Sequence, residues 1–73
     1  MERARLLRDL SQTNRHIARG EDHIARQQRI VTGLTTQGLA DYAHEARKLL
    51  ARFQDLQNWH LQHRDKLLAE LEG

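Results

Sequence analysis

The sequence predicts an all-α fold: an antiparallel two-helix hairpin, coiled-coil-like, that dimerises into a four-helix bundle. Three observations carry this expectation. The 73 residues include no Pro and only four Gly, and Ala, Leu, Arg, Gln and Glu dominate, all good helix formers. The β-branched residues are few, Ile17, Ile24, Ile30, Val31 and four Thr, so strands have little to build on. The tetrapeptide His-Ile-Ala-Arg occurs twice, at His16–Arg19 and His23–Arg26, one heptad apart. Seven residues are close to two helical turns, so each residue of the second copy lies almost above its twin. The repeat is a packing instruction rather than a chemical motif.

Helix 1 is expected over about 2–33. Leu6, Leu10, Thr13, Ile17, Gly20, Ile24, Gln27, Val31 and Leu34 alternate spacings of four and three, an a/d seam through four heptads. A turn is expected over about 34–40. There Gly33-Leu34-Thr35-Thr36-Gln37-Gly38 interrupts the pattern, and either Gly33 or Gly38 can adopt the left-handed conformation that closes a helix. Asp41 is the candidate N-cap of helix 2, with Glu45 in its first turn.

Helix 2 is expected over about 41–71. Its seam reads Tyr42, Ala46, Leu49, Phe53, Leu56, His60, His63 and Leu67, widened by Leu50, Leu61, Leu68 and Leu71. These positions span an arc of about 140–160°, broader than a two-stranded seam needs. A short connection makes the helices antiparallel neighbours. With the turn near Thr36–Gln37, facing residue numbers sum to about 73 by helix geometry. Phe53 is then expected against Gly20, Leu49 against Ile24, Leu56 against Ile17, and Leu67 against Leu6 and Leu7. His60 meets Thr13 in a polar layer that can set register. So broad an apolar face calls for a second hairpin, with Leu50, Leu61, Leu68 and Trp59 as the extra contact; indoles often anchor interfaces.

Size and composition bound the function. The chain is one domain, and a core this small rarely supplies more than about 3–5 kcal/mol. With no Cys, disulfides and thiolate metal sites are excluded, which leaves oligomerisation as the remedy and a homodimer as the expected partner. Net charge is +2. The first 34 residues are Arg-only among their bases and carry +3, and the remainder carries −1. No apolar run is long enough to span a bilayer and no signal-peptide core follows Met1, so a cytoplasmic protein is expected, with no membrane partner.

Few residues suggest chemistry. His60 and His63, three apart, could share a metal ion, but a closed site needs two more ligands and none is apparent. The plainer expectation is one hydrogen-bonded seam residue and one flanking residue, with no cofactor. A seam His could also make assembly pH-sensitive. Arg8, Arg15, Arg19, Arg26 and Arg29 fall within about 80° on helix 1. Such a stripe can track phosphates or be a solvated face, and no aromatic residue interleaves it for base stacking. No Ser-His-acid grouping, Gly-rich phosphate loop or paired-carboxylate cleft is present, so no enzyme is expected.

From Ala46 the chain reads Ala-Arg-Lys-Leu-Leu-Ala-Arg-Phe-Gln-Asp-Leu-Gln, then His60, then His63-Arg64-Asp65-Lys66-Leu67-Leu68-Ala69-Glu70-Leu71. With His23-Ile24-Ala25-Arg26-Gln27 and Gly38 upstream, it resembles a group of short, uncharacterised bacterial helical-hairpin proteins. The resemblance implies a hairpin, a local polar cluster of His60 with Arg64-Asp65, and nothing catalytic. The expected function is a small non-enzymatic interaction module acting through protein–protein contacts. The alternatives are a nucleic-acid-binding accessory protein using the Arg face, and a His-based metal or pH sensor.

Overall fold

The computed structural model describes residues 2–73. Two helices, α1 (Glu2–Thr36) and α2 (Ala40–Glu72), lie antiparallel in a rod of 55 × 14 × 13 Å. No helix among the described residues is long and apolar enough to cross a membrane.

The turn is decided by Gly38. It is the one described residue with positive φ, at 76°, a conformation that costs other residues about 1–2 kcal/mol. Around it, the Leu39 amide donates to the Leu34 carbonyl at 3.0 Å and the Gly38 amide to Thr35 at 3.1 Å. These are the two bonds of a Schellman motif, which satisfies the last carbonyls of α1. Helix 1 therefore continues to Thr36 and Gly33 stays helical. The chain re-enters a helix at once, so the N-cap is Leu39, without a side-chain bond, and the expected Asp41 cap is displaced into the first turn. There its carboxylate still faces the positive end of the helix dipole.

The α1 seam lies where its spacing places it: every residue from Leu6 to Leu34 in that series is buried or half-buried. The α2 seam does not. Ala43, Ala46, Leu50, Phe53, Gln57, His60, Arg64, Leu67 and Leu71 face α1, whereas Tyr42, Leu49 and Leu56 are 68%, 41% and 55% exposed. Ala46, Phe53, His60 and Leu67 belong to both alternatives. The helix is rotated about them so that Ala43, Leu50 and Gln57 replace Tyr42, Leu49 and Leu56. Near the turn Ala43 and Ala46 are small enough to be buried against α1, and the Gln27 carboxamide donates to the Ala46 carbonyl across the interface at 2.9 Å. The expected Leu49–Ile24 and Leu56–Ile17 pairings are replaced accordingly. Leu67 and Leu6 are both buried near the open end, but Leu7 is exposed. There Arg3 reaches the Leu71 carbonyl at 3.5 Å.

Candidate interaction face

Two glutamines lace the seam in opposite directions. Gln27 of α1 donates to the backbone of α2, and Gln57 of α2 donates to the Ile17 carbonyl of α1 at 2.9 Å. Both side chains are buried. Each acceptor is a helix carbonyl with a second lone pair to offer. Gly20 makes room for one of these links. A Cβ there would lie 2.8 Å from the Gln57 Cδ and still closer to its Oε1. That oxygen is buried without a hydrogen-bond partner, in the space that a side chain at Gly20 would take. The side chain nearest Gly20 is therefore that of Gln57, while Phe53 stays in the seam beside it. Phe53 shares a hollow with Gly20 and packs its ring on His23, centroids 5.5 Å apart.

Along one edge of the interface runs a row of rings. His16 and His60 stack in parallel at 5.0 Å and 9°. Trp59 meets His60 edge-on at 5.2 Å and stacks on His63 at 5.4 Å. Thr13 is buried and borders the same hollow as His60, but it is His16 whose ring covers His60. Burial pushes the His60 imidazole below its ordinary pKa, and the neighbouring His16 and His63 push it the same way. Neutral imidazoles can stack face to face, whereas two charged ones repel each other.

Beyond the row lies an open hollow of about 200 Å³ walled by His16, His23, Phe53, Leu56 and His60. Trp59 is 58% exposed, and Leu56, Leu49 and Tyr42 follow at seven-residue intervals along the same side of α2, with Ile30 of α1 also exposed. On the opposite side are Leu7, Leu10 and Ala18, which border a shallow groove of α1; Leu61 and Leu68 lie across from them by the heptad spacing. Trp59 and the pair Leu61 and Leu68, expected as one contact, thus fall on opposite sides, and Leu50 is half-buried in the hairpin seam.

The remaining sites separate. Arg8, Arg15, Arg19, Arg26 and Arg29 are all exposed, and no salt bridge among the described residues engages them. His60 stacks on His16 and His63 on Trp59, and no group of three or more His, Asp or Glu among the described residues is placed to hold a metal ion. Arg64, in the seam one turn after His60, pairs with its exposed neighbour Asp65 at 3.5 Å. Comparison with protein-family models, with curated proteins and with solved structures yields no match.

Proposed function

We propose that this chain is a small non-enzymatic interaction module that acts through protein–protein contacts. The observation that supports it is the apolar band of Tyr42, Leu49, Leu56 and Trp59, exposed along one side of α2. Large exposed apolar residues gathered on one face mark contact surfaces more often than scattered ones do. A cytoplasmic helical-hairpin protein, kin to the short bacterial group its motifs resemble and associating as a four-helix bundle, would use the band in this way. A photo-reactive amino acid in place of Trp59, activated in cells, is expected to yield covalent adducts with protein. Absence of any protein adduct from that position would sink the reading.

The alternative is nucleic-acid binding by the Arg face, favoured by five exposed guanidiniums with no internal carboxylate partner. A photo-reactive residue at Arg15 would then label nucleic acid, and binding to a DNA or RNA fragment would weaken steeply with salt. The third reading, a His-based sensor, rests on the stacked imidazoles and takes the form of a pH response rather than a metal response.

A further inference from the structure

We infer that the exposed band of α2 is a second coiled-coil seam whose occupant is another copy of this chain, α2 lying antiparallel to α2 about a twofold axis between Arg52 and Leu56. This rests on reading that face as a contact surface, and it names the partner.

The first support is spacing. Tyr42, Leu49 and Leu56 recur at seven-residue intervals with Trp59 beside them, and Glu45, Arg52 and Lys66 flank them; an apolar heptad repeat with charged flanks is the pattern of a coiled-coil face. Helix α2 thus carries this exposed apolar stripe besides the seam occupied by α1.

The second support is size. The chain exposes 5657 Å², whereas a compact monomer of 8.6 kDa is expected to expose about 4,700 Å². Its radius of gyration is 16.5 Å, against about 11 Å for a compact domain of this length. The surplus of roughly 1,000 Å² is comparable to the ~800 Å² that each partner contributes to a standard interface. Among the described residues no large side chain is completely buried in the single hairpin.

The third support is self-complementarity. A twofold interface uses the same patch on both copies. With the axis between Arg52 and Leu56, facing numbers sum to about 108 by helix geometry. Leu49 then meets Trp59 of the second copy, and the Arg52 stem lies along Leu56. Glu45 meets His63 within a turn of Lys66, and Lys66 lies over the Tyr42 ring. A shift of one heptad in either direction sets Glu45 against Leu56 or Lys66 against Leu49. Of the three registers, the central one gives both Glu45 and Lys66 a polar or aromatic partner and sets only Arg52 against a leucine, through its aliphatic stem.

The chain has no Cys, so introduced thiols report cleanly. Leu49→Cys and Trp59→Cys are prepared separately, mixed and oxidised. The mixture is expected to give a disulfide-linked pair, and each variant alone far less. In this register two copies of residue 49 lie about 15 Å apart along the axis, beyond the ~7 Å that a disulfide spans between Cα atoms. Light scattering of the unmodified chain is expected to give twice the 8.6 kDa chain mass. A monomer at about 500 µM overturns the inference, as does a dimer that links instead through Leu61→Cys and Leu68→Cys. Either result leaves protein adducts from position 59 possible, so the self-pairing and the broader contact reading fail on different measurements.

Discussion

Glycine has opposite meanings at two positions of the same helix. Gly33 is helical, and a Cβ there would meet nothing within 4 Å. Replacing it with Ala is expected to stabilise the hairpin by about 0.5–1 kcal/mol through backbone entropy alone. Gly20→Ala gains the same propensity but drives the Gln57 carboxamide off the Ile17 carbonyl. A displaced buried amide costs about 1–3 kcal/mol, so the net effect is expected to be a lower melting temperature. Thermal melts of the two variants check the contrast, and a Gly20→Ala variant no less stable than Gly33→Ala would refute the account. The His60 imidazole adds a pH dependence of definite sign. Its folded-state pKa lies below its ordinary value of 6.5. The unfolded chain therefore binds its proton first as pH falls. The stability is fully present above about pH 6.5 and declines as acid is added, until the folded form is protonated too. The groups facing His60 are His16 and His63, with Asp9 on the same hollow offering partial compensation. Melts at pH 7.5 and pH 5 should show a loss of stability in the parent chain. His60→Phe, which keeps a ring on His16 without titrating, should lose distinctly less.

At the scale of the helices, the seam of α2 shows where pattern ends and packing begins. Ala46, Phe53, His60 and Leu67 satisfy two overlapping seams, and leucines sit on both sides of them. Hydrophobicity alone favours Tyr42, Leu49 and Leu56. The structure chooses Ala43, Leu50 and Gln57: an alanine takes the place of a tyrosine near the turn, and Gln57 spans to the backbone of α1 as Gln27 spans to that of α2. The α1 side was legible, down to Gly20 and Gln27, because only one seam runs through it. Gln57 was missed because a glutamine reads as surface unless its partner carbonyl is known. The His16–His60 stack had a weak signal in the His-Ile-Ala-Arg repeat, which puts His16 and His23 on one flank, but no rule pairs that flank with His60. If the two glutamines serve register more than strength, replacing both with Leu should cost little. Ile17 and Ala46 keep their own helical bonds, so no buried carbonyl is orphaned. Stability is expected to stay within about 1 kcal/mol of the parent, while sedimentation velocity should show mixed species as alternative alignments become available.

For the molecule as a whole, the balance is thin. The buried apolar residues are Leu6, Ile17, Ala43, Ala46 and Leu67, two of them alanines, in a chain of a size whose core rarely supplies more than a few kcal/mol. A molecule that folds alone has a concentration-independent melting temperature; one stabilised by its copy does not. The melting temperature is expected to rise between about 5 and 500 µM, and the emission of Trp59, the single Trp, to shift to the blue as its face is covered. A constant melting temperature would show that the hairpin alone is the folding unit. The sequence by itself determined the helices, their number, their antiparallel order and the core stripe of α1, because heptad spacing and propensity are local properties of the chain. Only the tertiary structure decided which side of α2 meets α1, and therefore which side is left bare. That choice depends on how closely two backbones approach and on the partner each buried amide finds there, and both are fixed by residues dozens of positions apart.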